Sequence, residues 1–445
     1  MANSNENLNV VSRPGQVTIE DVRISAGGGS MSILGQLLSL DFFESIFSPF
    51  MIGNMVVDDG IGLIRNLPIT GRELISIRYK TPLDRGEIKE VNLQIVSQIN
   101  RTRTDRRNDT TQFRLLSPTG FSDLNQKLSR SYEGTNSEIV KEICKEYYGE
   151  KVSESLLVEP TSGKAKYALS FKKPSEHIQA LASQSYSASE DKKFSGYVFY
   201  ETRSGFKFKS LPGLFYQSPK PDHYYVDSKV DRANFEMDEY SFQNHIMRDV
   251  VFPRGFDRPT QVSGGGFGGL QIIVDPTQKA WGNEAISYDN SPVPLKNNDT
   301  QKPIIESSSP LYKTAALIYL SNRQSQNIDQ SQNTSTDMAD THPYSKMNYL
   351  THSDTSITFT VPGDSTLEAG ITVALILTKN ESDLSIEQTD VDDEKTGLYL
   401  IKSLHNKFYF PPDGKIEMKT SLECVRNFRG QPVPDTINTG GLSSG

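Results

Sequence analysis

Period-two alternation of apolar and polar positions dominates the chain. Ile75, Ile77 and Tyr79 alternate with Ser76 and Arg78, and Val91, Leu93 and Ile95 alternate with Asn92 and Gln94. One apolar face per segment predicts half-buried antiparallel strands between about 41 and 116. Pro68, Gly71, Pro82 and Gly86 punctuate them as turns. The period lengthens after Thr119. Thr135 and Glu138 have the spacing of a capping box, and Ile139, Val140, Ile143 and Tyr147 follow on one helical face, up to a stop at Gly149. A second helix is predicted after Pro174, with Ser175 near its cap and Ile178, Leu181 and Ala182 as its stripe. Strands then return. Residues 196–202 and 205–211 read as a hairpin about Arg203-Ser204-Gly205, with Phe206 and Phe208 on one face and Lys207 and Lys209 on the other. Farther on, 270–274, Ile357/Phe359/Val361, Ile371/Val373/Leu375/Leu377, Leu398/Leu400/Leu404 and Ile416/Met418 add short strands of the barrel or sandwich kind. A helical piece thus lies between two β-rich stretches, which predicts a mainly β chain with an α+β insertion.

Three segments lack such patterning. The N-terminal stretch is polar through residue 30 and too poor in apolar side chains to fold alone, so 1–40 reads as an extended arm, either disordered or ordered against a neighbouring subunit. Residues 321–347 are crowded with Gln, Asn, Ser and Thr and read as a long polar loop. Residues 429–445 form a Pro/Gly/Ser tail, expected to be flexible.

Composition narrows the function. A chain of 445 residues accommodates about two to four domains. With 47 basic and 55 acidic residues, net −8, it lacks the basic footprint of a protein that grips nucleic acid. Two cysteines, Cys144 and Cys424, exclude a disulfide scaffold or a cysteine-rich metal site; one disulfide stays open, and free buried thiols are the simpler reading. The weakly charged stretch 24–40 is broken by Gly27, Gly28 and Gly29 and falls short of a spanning helix, so no membrane insertion is expected. Its apolar patch from Ile33 lacks the basic flank of a signal peptide, so the chain is expected to stay in the cytoplasm where it is made unless it leaves in an assembly.

Candidate chemistry is sparse. Gly264, Gly266 and Gly269 satisfy G-x-G-x-x-G, but the run that follows reads as a strand, whereas a dinucleotide site needs a helix there. The six histidines, His177, His223, His245, His342, His352 and His405, show no metal-binding spacing. Asp390, Asp392, Asp393 and Glu394 lack the glycine and closing glutamate of a calcium loop and read as a solvated turn. Arg101, Arg103, Arg106 and Arg107 form the densest basic run, a solvated loop by default, with inter-subunit ion pairing a stronger alternative than nucleic-acid contact. Trp281 with Tyr224 and Tyr225 could build a sugar platform, although packing is the commoner role. No nucleophile–base signature is present. No catalytic, cofactor-binding or metal-ligating residue is therefore assigned, no cofactor is expected, and the sequence singles out no interface residues.

A set of phrases in order along the chain carries a resemblance. The stretch 42–71 presents Glu44, Ser45, Pro49, Asp59, Gly60, Leu67, Pro68, Ile69, Thr70 and Gly71, followed by Glu73. With 115–143, 171–185, 196–211, 267–281 and 361–408, it resembles the baseplate central hub proteins of contractile-tailed phages. These form the hub half of the hub–spike family shared with type VI secretion spikes and related injection systems. The resemblance runs from about 41 to 426 and leaves out the arm and the polar loop. It implies two tube-like antiparallel β-barrel domains with an inserted helix-containing domain. The expected boundaries are 41–120 with 205–245 for the first barrel, 121–204 for the insertion and 246–428 for the second barrel. It also implies a non-enzymatic homotrimer, a pseudo-sixfold ring in the virion baseplate, assembled in the host cytoplasm. Such a ring would join a tail tube or its initiator to a central spike or cell-puncturing protein, with the tape measure protein nearby and no specific nucleic-acid binding. Negative walls would suit a tube through which DNA slides. The competing readings are a tail-associated cell-wall hydrolase and a host glycan-binding tail protein.

Overall fold

The structure, a computed structural model, describes residues 14–27, 29–60, 69–81, 87–103, 109–188, 195–220, 223–228, 239–254, 257–266, 268–275, 279–287, 316–320, 334–352, 355–379, 391–392, 395–411 and 415–426. The predicted turn residues Pro68, Pro82 and Gly86, the tail 429–445 and the first thirteen residues of the arm lie outside them.

Strands β1 (Thr18–Ala26), β2 (Gly29–Ser32), β3 (Leu37–Ser45), β4 (Ile52–Asp59), β5 (Leu74–Lys80), β6 (Lys89–Arg103) and β7 (Asp109–Leu116) form the first β-region. The alternation works as the sequence predicts: Ile75, Ile77, Tyr79 and Leu93 are fully buried, while Ser76 and Asn92 face outward. The predicted arm differs. Its residues 18–25 pair with β5, and Val22 and Ile24 are fully buried in the same core. A register shift between Ile19 and Asp21 breaks the period there, so the strand is invisible to a strict count of two.

The insertion comprises α1 (Pro118–Leu124), β8 (Leu128–Thr135), α2 (Asn136–Ile143), a single π-turn at Cys144–Tyr148, α3 (Glu150–Ser155), β9 (Leu157–Val158), β10 (Lys164–Lys172), α4 (Pro174–Ser183), β11 (Tyr197–Thr202), β12 (Gly205–Ser210) and α5 (Leu211–Phe215). The capping box at Thr135 and Glu138 is present, with both reciprocal hydrogen bonds. In α4 the cap position is Lys173, with Pro174 in the first turn; Ser175 instead bonds Asp123. Phe199, Phe206 and Phe208 pack with Ile139, Val140 and Ile178 in the insertion's own core. Residues 205–210 therefore belong to the insertion, not to the first barrel, because the apolar face of their hairpin needs that core.

The second β-region contains β13 (Tyr224–Asp227), α6 (Glu239–Asn244), β14 (Ile246–Arg254), α7 (Arg258–Gly264), a side sheet of β15 (Gly268–Asp275), β16 (Ala280–Ser287) and β17 (Ala316–Leu320), α8 (Thr334–Thr351), β18 (Thr355–Pro362), β19 (Thr372–Ile376), β20 (Gly397–Tyr409) and β21 (Glu417–Arg426). Strands β13, β14, β18, β21, β20 and β19 pair in that order, and β19 also pairs with β13, which closes a six-stranded barrel. Residues 224–227 thus belong to the second barrel rather than the first. The polar segment 321–347 is not a loop throughout. Its latter part enters α8, where Met347, Asn348 and Thr351 are buried and Asn348 donates to the Ser195 carbonyl over 3.0 Å. That amide finds its partner in the insertion, which helps to make a polar helix viable there.

The two β-regions are one sheet. The order runs from β21 and β20 directly to β3, β4, β7, β6, β5, β1 and β2. The long hairpin β20–β21 serves both. Ile401, Leu404, Leu422 and Cys424 fill the second core, while Phe408 and Met418, farther along the same strands, fill the first. Gln16 bridges Glu417, and the Met418 amide donates to the Gly15 carbonyl over 2.9 Å, which brings β1 round to β21 and closes the first circuit. Gly15 is required there: its φ is +74°, and a Cβ would lie 2.8 Å from the Met418 carbonyl oxygen.

Candidate functional site

Two places concentrate polar chemistry among the described residues. The first is a buried joint where the tip of the β11–β12 hairpin enters between the barrels. Glu44, at the inner face of β3, accepts from the Arg203 amide (2.9 Å) and the Ala369 amide (3.0 Å). Glu368, in the turn that precedes β19, accepts from Lys207 Nζ (2.9 Å), Ser204 Oγ (2.6 Å), Thr202 Oγ1 (3.3 Å) and an Arg203 guanidinium nitrogen (3.3 Å). Glu201 accepts from the Met51 amide over 3.0 Å. Burial pushes both Glu44 and Glu201 up to about 7; repulsion from Glu368 adds to it for Glu44, and repulsion from Glu44 for Glu201. Burial also acts on Glu368, but Lys207, Ser204 and Arg203 outweigh it and hold that carboxyl below its usual range. The joint is sealed: Glu44 is 2% exposed and Lys207 7%. It ties three units together and admits no substrate.

The second is a groove of about 530 Å³ on the outer face of the continuous sheet, lined by Phe43, Ile52, Asp249, Thr358, His405 and Glu423 among others. The Phe43 ring stacks on His405 at 4.0 Å, and His405 Nε2 lies 3.2 Å from an Asp41 carboxylate oxygen. Glu423 is engaged by Lys402 Nζ (2.7 Å) and Ser403 Oγ (2.8 Å). Ile52, Val251 and Phe252 stand exposed nearby on β4 and β14. These groups offer shape and apolar area rather than a nucleophile with its base.

The residues weighed in the sequence fall elsewhere. Gly264 ends α7, and Gly265 adopts the left-handed cap; β15 follows, so the glycine run leads from helix to strand and not into a phosphate-binding helix. His177 and His223 are buried, the latter bonded to Thr366; His245 stacks on Tyr224; His352 is pushed down to about 4 by burial. The His342 side chain, like that of Trp281, lies outside the described residues. Arg101 and Arg103 pair with Asp109 of the same hairpin (2.6 and 3.6 Å), whereas Arg106 and Arg107 lie outside the described residues. Asp392 holds Lys395 over 2.9 Å; Asp390, Asp393 and Glu394 lie outside. Tyr224 and Tyr225 are 6% and 1% exposed, so they pack the second barrel and offer no sugar platform. Cys144 and Cys424 are separate buried thiols, each raised by burial. Among the described residues, no three His, Cys, Asp or Glu side chains cluster as a metal site, and no helix is long and apolar enough to cross a membrane.

The structure gives the phrase residues physical roles. Glu44 fastens the joint. Glu73 wraps the turn before β5, accepting from the Thr70, Gly71 and Arg72 amides at 2.7–3.0 Å. Burial would raise its carboxyl, but those donors hold it low. The ion pairs of Glu368 with Arg203 and Lys207 join residues more than 160 positions apart and leave no local signal in sequence.

No protein-family model matches this sequence, and no curated protein is similar to it. Solved structures do match. The 43 kDa tail protein of prophage MuSo2 from Shewanella oneidensis superposes with a TM-score of 0.52 at 11% identity, over 92% of this chain and 98% of that one. A tail protein from Neisseria meningitidis MC58 gives 0.52 at 10% identity, over 94% and 98%. The chain therefore has the fold of these phage-type tail proteins: mainly β, a closed six-stranded barrel with further strands continuous with it, and helices in between.

Proposed function

We propose that the chain is a structural, non-enzymatic component of a phage-type tail baseplate, a hub of three copies that adapts a sixfold tail tube to a threefold central spike. The observation that supports it most is the extent of the fold match, which covers 92% of this chain and 98% of a phage tail protein. Two β-regions built on one sheet give each copy two ring segments, so three copies supply six. A closed ring also covers sheet edges and exposed apolar groups such as Ile52, Val251 and Phe252. Its partners on this reading are the spike or cell-puncturing protein, the tube or its initiator, and the tape measure protein, in the virion baseplate after assembly in the host cytoplasm. Native mass spectrometry of the 49.7 kDa chain, alone and with the candidate spike, tests it. A trimer, alone or on spike addition, is expected. A stable dimer, or a monomer that ignores the spike, would overturn it.

A further inference from the structure

The joint between insertion and barrels carries an unbalanced charge. Three buried carboxylates, Glu44, Glu201 and Glu368, lie at this joint with two cations, the buried Lys207 and the half-buried Arg203. Glu368 takes up both cations directly. Glu44 accepts from the Arg203 and Ala369 amides, Glu201 from the Met51 amide and the Ser117 hydroxyl, and Glu44 feels both Arg203 and Glu368. Fully ionised, the cluster holds one negative charge more than it can neutralise, and a buried surplus charge is costly. One added proton removes it.

The remaining neighbours do not supply the missing positive charge. Tyr200, on β11, senses Glu368 and Glu44 and is itself held neutral by burial. Tyr148, on the π-turn, faces Glu201 and is engaged with Asp123. Lys209, on β12, lies toward Glu159 and is repelled by Lys207. Apart from Lys209 and the two cations already used, these neighbours bring an acid or a neutral hydroxyl.

We propose that this joint takes up a proton as the pH falls through neutrality, on Glu44 or Glu201, the two buried carboxylates that Glu368 leaves without a cation, and that the proton tightens the seating of the inserted domain on the two barrels. The sign follows from linkage. Folding raises these carboxyls from the ordinary range to about 7, so their stabilising contribution is complete below about 4.5 and is lost as the pH rises through 7. The device is independent of any role in a tail: it needs only the three units and their shared joint.

Thermal unfolding of the full chain between pH 5.5 and 8.5 tests it, alongside Glu44→Gln, Glu201→Gln and the double variant. Wild type is expected to melt at a higher temperature at pH 5.5 than at 8.5, with an inflection near 7. Each single variant should shrink the inflection and the double variant should erase it. An inflection unchanged in the double variant, or none in wild type, would overturn the proposal. Should the double variant not fold, carboxyl carbon NMR of glutamate-labelled wild type decides: a resonance titrating near 7 supports it, and glutamates that all titrate below 5.5 refute it. Hydrogen exchange with labelling times scaled for intrinsic pH effects reads the seating. Amides of β11 and β12 should lose protection above pH 7 by a larger factor than those of β5; equal losses would refute the link to the insertion.

Discussion

Replacing Phe408 by alanine tests whether the two barrels are energetically one body. Phe408 sits near the end of β20, fully buried, in the first core. Its ring meets Tyr79 edge-on at 5.0 Å and Phe42 at 6.0 Å. Truncation removes the transfer energy of the ring and leaves a cavity that its rigid neighbours cannot close; such changes cost about 3–5 kcal/mol. The two ring contacts belong near the upper end of that range, at roughly 0.5–1.5 kcal/mol per pair. Because β20 continues into the second barrel through Leu404 and Ile401, the loss should not stay local. Denaturant unfolding followed by circular dichroism is expected to show one transition, shifted by about 3–5 kcal/mol. Native-state hydrogen exchange should lower the protection of Ile357, Phe359 and Val361 in β18 as much as that of Ile75 and Ile77 in β5. A loss below about 1 kcal/mol would refute the packing argument. Two separated transitions, or protection lost in β5 alone, would refute the coupling.

Asp123→Ala should cost roughly 3–5 kcal/mol, because the buried carboxylate accepts from Tyr148 Oη (2.7 Å), the Ser175 amide (2.9 Å) and Ser175 Oγ (2.6 Å), and all three donors lose their acceptor; Asp123→Asn should recover part of the loss in a thermal melt. Gly370→Ala should destabilise by roughly 2–5 kcal/mol, since φ is +83° and the new Cβ would lie 2.0 Å from Tyr200 Oη. That hydroxyl is buried with no hydrogen-bond partner among the described residues, so Tyr200→Phe alone should be neutral or stabilising by about 1 kcal/mol and should rescue part of the Gly370→Ala defect; a double-mutant cycle without coupling would refute the contact.

Local rules carried much of the secondary structure. The alternation at Ile75, Ile77 and Tyr79 and the capping box at Thr135 both survive folding because each depends on neighbours a few residues away. β11 shows the opposite case. All six of its residues are buried, with one face against the insertion's core and the other against the barrels, so its sequence has no polar face to betray its orientation. Lys207 reads as solvent-facing from alternation alone, yet it is 7% exposed against Glu368. β1 hides behind a register shift, and α8, with Pro343 inside and few apolar positions, is a helix held by its surroundings rather than by its own pattern. The joint was illegible for the same reason: every bond in it is long-range, and its members are ordinary charged residues until the fold brings them together.

The hairpin shared by both barrels has a mechanical meaning. β20 is 13 residues long, which at about 3.4 Å per residue makes a strut of roughly 40 Å. No linker separates the barrels at this point, so a push or a twist on one passes to the other along continuous backbone. The rungs of hydrogen bonds beside it are loaded in shear, many at once. Independent swivelling of one barrel against the other would have to tear that ladder. Movement, where the molecule has any, is therefore directed to the insertion, whose seat is a set of side chains rather than a strand.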